Sequence, residues 1–386
     1  MVDPDAERPT GHVVLAPDKF KGSLSALEVA TELMTGIRRV LPGCDVRLAP
    51  VADGGEGTVE AALVAGFTAV TVAVNGPLGQ EVAAVLAVRG RTAVVEMAQA
   101  SGLQLNGPLP RPLEATSFGT GQLVRAALDA GCDTVILGIG GSANTDGGAG
   151  MLQALGVGLS DSSGQSLGPG GGPLTSLAAV DLSGLDPRVA DTRFVLATDV
   201  DNPLLGEHGA ATVFAPQKGA TLAQVEELER GLGRLAALVS EAVGRDHSTR
   251  PGAGAAGGVG FAALALLRAE ARPGIDLMLE MVGFPALLEG ASLVVTGEGS
   301  LDEQSLRGKA PVGVARAAAA RGVPTVAVAG RTTLPDDVLS RAGFLRTYTL
   351  QQIEPDLARC IAGAGPLVDG IGERIAADWL AAGATA

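Results

Sequence analysis

The sequence predicts an α/β fold with two domains, one built on a parallel sheet and one of mixed α/β character. Three observations support this fold class. Short apolar runs alternate with amphipathic helical segments along most of the chain, which is typical of parallel βα units. Polar, glycine-rich turns follow several apolar runs, as they do at the carboxyl ends of parallel strands. The length of 386 residues exceeds one ordinary core, so two domains are expected.

Composition narrows the classes of function. The chain is 46% hydrophobic and 18% charged, which indicates a compact globular protein. A net charge of −14 and an aromatic content of 3% argue against nucleic acid as a partner. No apolar run approaches the ~20 residues of a membrane helix, and the polar N-terminus lacks a signal-peptide pattern. We therefore expect a cytoplasmic protein, a monomer or homodimer, with no membrane partner.

Few residues are available for nucleophilic or zinc chemistry. The three cysteines lie far apart without metal-binding spacing, and only three histidines occur. A histidine-based triad or a two-histidine metal site therefore has almost no material. Acid, base and metal-binding roles are expected to fall to carboxylates.

The first βα unit carries a candidate site. A strand is predicted over His12–Ala16, a turn over Pro17–Gly22, and then a helix that begins with a capping box of Ser25 and Glu28. Ligands of parallel sheets bind at the carboxyl ends of strands. The candidate residues at this strand end are Asp18, Lys19, Lys21 and Ser23. A lysine there can bind phosphate or carboxylate; ordinary surface lysines near a helix start are the alternative.

The second unit repeats the pattern. A strand predicted over Arg47–Val51 leads into the turn ADGGEGT, with candidate residues Asp53, Gly54, Gly55, Glu56 and Gly57. The two acids either complement the dipole of the next helix or contribute to a shared site, and we favour the shared site. Three runs between residues 68 and 97 have the pattern of β-hairpins, so the change of domain is placed near residue 75.

The stretch GIGGSANTDGGAG, Gly138–Gly150, lies between a predicted buried strand and a helix start. Unpaired backbone N–H groups and the positive end of a helix dipole make such a turn a site for phosphate or carboxylate. Ser142 and Asp146 add side chains that can bond a phosphate or hold a metal. A glycine-rich connection with capping residues is the alternative, since no numbered P-loop pattern is matched.

An acidic turn follows the strand predicted over Arg193–Thr198. Asp199 and Asp201 stand one residue apart, and Asn202 comes next. This arrangement suits Mg²⁺, which prefers one or two carboxylates together with phosphate oxygens. An Asx-type turn is the alternative.

A further acidic turn carries Glu298 and Asp302 after a strand predicted over Ser292–Thr296. Upstream of it, the glycine run Gly252–Gly260 introduces a helix predicted over Phe261–Ala271. So many small residues indicate either close backbone packing or a ligand against the main chain, and the sequence does not separate these.

The two ends of the chain share the βα rhythm, while the middle is more mixed. We therefore predict a discontinuous flavodoxin-like or Rossmann-like domain of residues 1–75 and 290–386. A mixed α/β domain of residues 76–289 is inserted in it, with the active site in the cleft between them. Anion cradles, several hard oxygen ligands and a few cations suit Mg²⁺-assisted phosphoryl transfer to a small anionic acceptor.

Two rival functions agree less well with the sequence. A nucleotide-dependent oxidoreductase predicts GxGxxG after the first strand, and Pro17–Gly22 does not supply it. A non-catalytic binder of sugar acids explains the anion cradles. It does not explain four acidic turns, which repel an anion unless metal is present.

Seven blocks, in order, strongly resemble the bacterial glycerate kinase family of the type that yields 2-phosphoglycerate. They are PDKFKGSLSA, ADGGEGT, GIGGSANTDGGAGM, DVDNPL, GAGAAGG, TGEG followed by Asp302 and Gln304, and GKAPVGVA, from about residue 12 to residue 380. The resemblance implies ATP-dependent phosphorylation of D-glycerate with Mg²⁺, and an α/β fold with one domain inserted in the other. A kinase that gives 3-phosphoglycerate or acts on a related hydroxy acid is the alternative.

Residue chemistry and the resemblance together give the expected site. The expected catalytic residues are Asp199, Lys21 and Asp18, with Asp199 as metal ligand or proton acceptor and Lys21 on the glycerate carboxylate or the transferring phosphate. The expected substrate- and phosphate-binding residues are Lys19, Ser23, Asp53, Gly54, Gly55, Glu56, Gly57, Ser142, Asp146, Gly147, Gly148, Asn202, Glu298 and Lys309. The expected metal ligands are Asp199, Glu298 and Asp302. Ser300 stands where the family frequently has Arg, and Lys19 and Arg307 are the candidates to replace that cation.

Overall fold

The structure, a computed structural model, describes residues 11–380 apart from the side chain of Arg307. The strands are β1 (His12–Pro17), β2 (Val46–Leu48), β3 (Thr68–Asn75), β4 (Glu81–Arg89), β5 (Thr92–Glu96), β6 (Thr134–Gly138), β7 (Gly158–Asp161), β8 (Leu177–Asp181), β9 (Arg193–Ala197), β10 (Glu270–Arg272), β11 (Ala291–Leu301), β12 (Thr325–Thr332) and β13 (Thr347–Thr349). The helices are α1 (Ala26–Val40), α2 (Thr58–Val64), α3 (Ala98–Ser101), α4 (Phe118–Asp129), α5 (Ala149–Ala154), α6 (Ala210–Phe214), α7 (Leu222–Val243), α8 (Ala255–Ala265), α9 (Gly274–Met281), α10 (Phe284–Leu287), α11 (Ala310–Ala319), α12 (Asp336–Arg341), α13 (Leu357–Ala362) and α14 (Ala364–Ile375).

The chain divides into two compact units, and the predicted α/β class is confirmed in both. Among the described residues, unit 1 comprises residues 11–53, 60–65 and 275–380, and unit 2 comprises residues 54–59 and 66–274. These limits differ from the domain boundaries predicted at residues 75 and 290, and the division into functional domains stays a prediction. None of the helices within residues 11–380 combines the length and apolar character that a membrane span requires.

Unit 1 is built on a five-stranded parallel sheet in the order β13-β12-β11-β1-β2. The strand β1 is buried along its whole length, as its unbroken apolar sequence requires. Alternate side chains of a strand point to opposite faces, so Val13 and Leu15 pack in one cluster with α1 and α14. Val14 and Ala16 pack in a second cluster with α11. The sheet is therefore covered by helices on both faces.

The helix α1 begins where the sequence predicts. Ser25 N–H donates to Glu28 Oε2 at 2.7 Å, and Glu28 N–H donates to Ser25 Oγ at 3.3 Å, so the capping box is confirmed. The helix packs against α14 so closely that a Cβ on Gly36 would lie 1.9 Å from the carbonyl oxygen of Asp369. Glycine at this position lets the two helices meet.

Unit 2 contains a six-stranded sheet in the order β10-β9-β6-β5-β4-β3. The first four strands are parallel, while β3, β4 and β5 form the antiparallel hairpins predicted between residues 68 and 97. Glu96 pairs with Gly138, and Gly138 pairs with Ala197, so the carboxyl ends of β5, β6 and β9 lie at one edge. The segments that follow these three strands are therefore neighbours in space.

The glycine run before α8 adopts a conformation that the sequence did not reveal. Within α8, Ala256, Gly257 and Gly258 have left-handed φ values of 53°, 66° and 93°, so the regular part of the helix starts after Gly258, close to the predicted Phe261. A Cβ on Gly257 would lie 2.1 Å from the carbonyl oxygen of Asn144. Close packing of this backbone on the loop of residues 138–150 therefore accounts for the run.

Candidate functional site

In unit 1, the turn after β1 brings acidic residues from separate parts of the chain together. The last residue of β1 pairs with Gly297 of β11, and Asp18 N–H donates to the Gly297 carbonyl at 2.8 Å. Asp18 and Glu298 therefore follow neighbouring parallel strands. With Asp53 and Asp302 they form what we call the carboxylate cluster, whose members act electrostatically on one another.

Asp18 is strongly perturbed within this cluster. Asp18 is buried, with only 6% of the residue exposed. Burial raises the pKa of Asp18 from its usual 3.8 to about 7, the Lys19 ammonium opposes this shift, and the carboxylates of Asp53 and Glu298 add to it. Lys19 Nζ lies 3.7 Å from Asp18 Oδ1, which also accepts a 2.6 Å hydrogen bond from Lys19 N–H. A carboxyl with this pKa can exchange a proton near neutral pH.

Glu298 has a buried oxygen that no described donor satisfies. Its Oε1 atom is inaccessible to solvent and accepts no hydrogen bond from the described residues. Burial raises the pKa of Glu298, and Asp53 and Asp302 add to the shift, while Ser305 and Lys309 oppose it. An unsatisfied anionic oxygen beside other carboxylates favours a bound cation.

The donor set of the carboxylate cluster fits a hard cation. All its ligand atoms are oxygens, and Glu298 Oε1 lacks a partner among the described residues. Within residues 11–380, no group of three or more His, Cys, Asp or Glu side chains is placed to hold a metal ion. Mg²⁺ needs only one or two carboxylates when phosphates and water supply its other ligands. The binding of Mg²⁺ by Glu298 and Asp302 stays a prediction.

The predicted site residues of unit 1 differ in exposure and in hydrogen-bond partners. Lys21 is exposed, Asp53 is half-buried, and Ser23 Oγ donates to the Phe20 carbonyl at 3.0 Å. Lys309 occupies the N-cap position of α11. Asp302 Oδ1 accepts the N–H groups of Gln304 at 2.9 Å and Ser305 at 3.3 Å, which shapes its own turn.

A cation that sequence reasoning missed stands beside Ser300. Arg331 pairs with Ser300 across β11 and β12, and its Nε donates to Ser300 Oγ at 3.3 Å. The expected replacements were Lys19, which lies against Asp18, and Arg307, whose side chain is outside the described part of the chain. Only the strand register reveals Arg331, because it is far away in sequence.

In unit 2, two predicted glycine turns pack backbone against backbone. Gly140 N–H donates to the Gly54 carbonyl at 3.2 Å. A Cβ on Gly138 would lie 2.7 Å from that carbonyl oxygen, and a Cβ on Gly140 would lie 2.5 Å from Gly55 Cα. No larger residue fits at these positions without displacing backbone.

A buried acid missed by sequence reasoning supports the second of these turns. Glu96, which is 1% exposed, accepts the N–H groups of Gly57 at 3.2 Å and Val59 at 3.0 Å. It therefore satisfies amides at the start of α2. Glu56 beside them is exposed. An acid that ends the apolar strand β5 was the available signal for Glu96.

The buried Asp146 carboxylate is the centre of the loop Gly138–Gly150. Oδ1 accepts from Asn144 Nδ2 at 2.7 Å and from Gly148 N–H at 3.1 Å. Oδ2 accepts from Ser117 N–H and Oγ at 2.8 Å each, from Gly150 N–H at 3.2 Å and from Thr116 Oγ1 at 3.4 Å. The residue is 0% exposed. Its charge is thus balanced by six donors of the protein itself.

This carboxylate takes the position at the start of α5 where the sequence predicts an external oxyanion. The amides there are already engaged: Gly147 N–H donates to Gly257 at 2.9 Å, and Met151 N–H donates to Ser117 Oγ at 2.9 Å. Gly148 N–H donates to Asp146. The predicted contacts of Asp146, Gly147 and Gly148 with substrate stay a prediction, and in this structure their polar groups serve the loop.

The segment Ser142–Thr145 keeps polar groups without partners. Asn144 Oδ1 and Thr145 Oγ1 are buried and form no hydrogen bond with the described residues. Each unsatisfied buried group costs about 1–3 kcal/mol. Of this segment Ser142 keeps the most exposure, at 8%, so a contact with a ligand is expected at its side chain.

The Lys218 side chain contacts the segment Ser142–Thr145. It is 3% exposed, and its Nζ donates to Ser142 Oγ at 2.9 Å and to the Asn144 carbonyl at 2.5 Å. Burial lowers the pKa of Lys218 from its usual 10.5 to about 7, and the Asp146 carboxylate opposes the shift. Sequence reasoning missed this residue.

A signal for Lys218 was nevertheless present in the composition. The chain has 28 basic residues, of which four are lysines, at positions 19, 21, 218 and 309. The other three lysines were all predicted site residues. The choice of lysine in an otherwise arginine-using chain therefore marked the fourth.

The acidic turn after β9 presents an exposed carboxylate. Asp199 is exposed, and its Oδ1 accepts the Gly274 N–H at 3.1 Å. Asn202 is held internally, because its Nδ2 donates to the His208 carbonyl at 2.8 Å and its own carbonyl accepts Gly254 N–H at 2.9 Å. The turn is thus fixed at Asn202 while the acid reaches the surface.

Comparison with known proteins gives a consistent result. The model of the glycerate kinase family matches residues 13–380. Glycerate kinase of Bacillus subtilis (strain 168) is 46% identical over 361 residues, which are 92% of this chain and 92% of that protein. Glycerate 2-kinase of Escherichia coli (strain K12) is 47% identical over 330 residues, 84% of this chain and 86% of that protein. The crystal structure of glycerate kinase 2 from Salmonella typhimurium LT2 matches with a TM-score of 0.82 and 42% identity, over 95% of this chain and 98% of that one.

Asp18 predicts a pH dependence of stability. Its pKa is about 7 in the folded protein against 3.8 as the usual value, so its contribution is fully present below pH 4 and is lost as pH rises through 7. The free energy of unfolding should fall by about 2–4 kcal/mol from this group between pH 5 and pH 8. Asp18→Asn should remove that part of the slope, as measured by urea unfolding at the two pH values.

Asp336→Asn is the matched control for this experiment, because Asp336 is exposed at the start of α12. It should leave the wild-type pH dependence unchanged. A slope that is identical in wild type and Asp18→Asn would show that Asp18 is not the group that titrates.

Proposed function

The chain belongs to the glycerate kinase family, and we propose that it transfers the γ-phosphoryl group of ATP to the 2-hydroxyl of D-glycerate, giving 2-phosphoglycerate and ADP. The observation that carries the proposal is the match of the family model over residues 13–380. The 2-hydroxyl is chosen because a relative with 47% identity is a glycerate 2-kinase. The buried Lys218 and the carboxylate cluster support the proposal, because phosphoryl transfer needs groups that bind oxyanions and a cation that neutralises phosphate charge.

The loop Gly138–Gly150 contributes an oxyanion contact in unit 2. We assign this contact to the segment Ser142–Thr145 rather than to the start of α5, because the amides at the helix start already bind Asp146 and its neighbours. Ser142 is 8% exposed, and its Oγ accepts a hydrogen bond from the Lys218 ammonium group. A hydroxyl and a buried cation together favour an anionic ligand.

The carboxylate cluster contributes the metal-binding function in unit 1. Glu298 and Asp302 are the proposed Mg²⁺ ligands, supported by the unsatisfied Glu298 Oε1 and the raised pKa of Glu298. When bound, Mg²⁺ neutralises negative charge on the nucleotide phosphates. Lys21, exposed on the turn after β1, is proposed to bind the glycerate carboxylate or the transferring phosphate.

Asp199 is the proposed proton acceptor for the attacking hydroxyl, or a metal ligand. Its carboxylate is exposed at the end of a parallel strand, where ligands of such sheets bind. In phosphoryl transfer the protein mainly positions groups and stabilises charge, and a carboxylate that accepts the hydroxyl proton adds to the rate. Asp199 is therefore the residue of unit 2 to which we assign the proton-accepting or metal-binding role.

Turnover and product identity test the proposed function. The full chain incubated with ATP, Mg²⁺ and D-glycerate should release ADP, and ³¹P NMR of the product should show 2-phosphoglycerate. Release of ADP with 3-phosphoglycerate as product would contradict the assigned hydroxyl. Glycerate binding without ADP release would instead support a non-catalytic binder of sugar acids.

Asp199→Asn should lower kcat by about 100-fold or more, because general-base catalysis contributes factors of that size. Steady-state kinetics with D-glycerate measures the effect. Glu207→Gln is the matched control, since Glu207 is an exposed acid nearby in the same connection between β9 and α6. Turnover of Asp199→Asn at the rate of the control would remove Asp199 from the reaction.

A further inference from the structure

We propose that Lys218 couples oxyanion binding at the segment Ser142–Thr145 to the uptake of one proton. Lys218 is then a positioning residue that acts through Ser142, and its charge follows the occupancy of the site. This inference rests on the proposed function, because it takes the oxyanion to be a nucleotide phosphate or the glycerate carboxylate.

The burial and the contacts of Lys218 carry the first step. The residue ends a short turn, Pro216–Lys218, that follows α6, and it is 3% exposed. Both acceptors of its Nζ, Ser142 Oγ and the Asn144 carbonyl, are neutral oxygens. Lysine is rarely buried without a carboxylate partner, because desolvation of the charge is costly.

The surroundings of Lys218 leave its charge incompletely balanced. Asp146 is the charged group that acts on it among the described residues. The oxygens of Asp146 already accept six hydrogen bonds from other donors, and none of these comes from Lys218. The neutral form of the Lys218 amine is therefore populated near neutral pH, in agreement with the lowered pKa of about 7.

Ser142 provides the route from Lys218 to a ligand. Its Oγ accepts the hydrogen bond from Nζ at 2.9 Å, so the hydroxyl hydrogen can be donated elsewhere. Ser142 is 8% exposed, whereas Asn144 and Thr145 are fully buried. A ligand oxygen that accepts from Ser142 therefore lies one side chain away from the ammonium group.

Ligand charge then sets the protonation state. An oxyanion at Ser142 favours the charged form of a lysine held behind that hydroxyl, because opposite charges attract strongly where water is excluded. The neutral amine takes one proton from solvent buffer and becomes an ammonium, and no other bond is made or broken. A purely structural lysine would make the same two hydrogen bonds without this exchange.

Calorimetry measures the coupled proton directly. The full-length protein at pH 8 is titrated separately with ADP and with D-glycerate, in two buffers that differ in ionisation enthalpy. We expect one of the ligands to bind with an uptake of about 0.5–1 proton, since most Lys218 is neutral at this pH. At pH 6 the lysine is already charged, so the uptake attributed to it should vanish. The ligand that shows the uptake identifies the source of the oxyanion.

Three variants assign the proton to Lys218. Lys218→Arg keeps a permanent charge, so it should bind the ligand within about tenfold of wild type and show no uptake. Ser142→Ala removes the connecting hydroxyl and should reduce both binding and uptake. Asp336→Asn changes an exposed acid at the start of α12, outside the site, and should keep the wild-type uptake. Circular dichroism verifies that each variant is folded.

The inference is overturned if neither ligand binds with proton uptake at pH 8, or if Lys218→Arg retains the uptake. If Lys218→Arg does not fold, an undiminished uptake in Ser142→Ala overturns it equally. Turnover of glycerate is assayed on the same wild-type sample. Phosphorylation without Lys218-dependent uptake rejects this inference alone, whereas absence of phosphorylation rejects the proposed function.

Discussion

A single buried carboxylate, that of Asp146, determines the shape of the glycine loop in unit 2. Six donors converge on its two oxygens. Three come from the loop, at Asn144, Gly148 and Gly150, and three come from Thr116 and Ser117 just before α4. A charge without solvent contact is tolerated only when its hydrogen bonds are complete, so every one of these donors is held in place. Gly148 and Gly150 follow from this constraint, because both direct their amides to the carboxylate and Gly148 does so with a left-handed φ of 78°.

The internal anion decides where an external one can bind. Amides at the start of α5 are no longer available, while the segment Ser142–Thr145 keeps unsatisfied polar groups over Lys218. Unit 1 has the opposite character, because burial raises the pKa of Asp18 and of Glu298 and neighbouring carboxylates add to both shifts. On this basis we propose that the segment Ser142–Thr145 binds an oxyanion and that the carboxylate cluster binds a metal ion. These are the two electrostatic requirements of kinase chemistry on a small acid.

The sequence predicted the fold well wherever local patterns decide structure. The buried strand β1, the capping box of Ser25 and Glu28, and the hairpins between residues 68 and 97 all follow from apolar periodicity and cap residues. The family resemblance is likewise confirmed over residues 13–380. Local patterns did not reveal what depends on tertiary contact. Arg331 reaches Ser300 only through strand register, and Lys218 reaches Ser142 only through folding of distant segments. Asp146 was predicted as a site residue, but its enclosure by protein donors is not visible in sequence.

The role of the Asp146 carboxylate is tested most directly by the stability and activity of the variant Asp146→Asn. An asparagine of the same size places an amide donor among donors and removes the charge, so unfolding in urea should show a loss of about 3 kcal/mol or more and glycerate phosphorylation should fall sharply. Asp161→Asn is the matched control, because Asp161 also accepts backbone amides but is only half-buried, at the end of β7. It should lower the urea midpoint less than Asp146→Asn does and leave turnover unchanged. Wild-type stability and turnover in Asp146→Asn would contradict the central role given to this carboxylate.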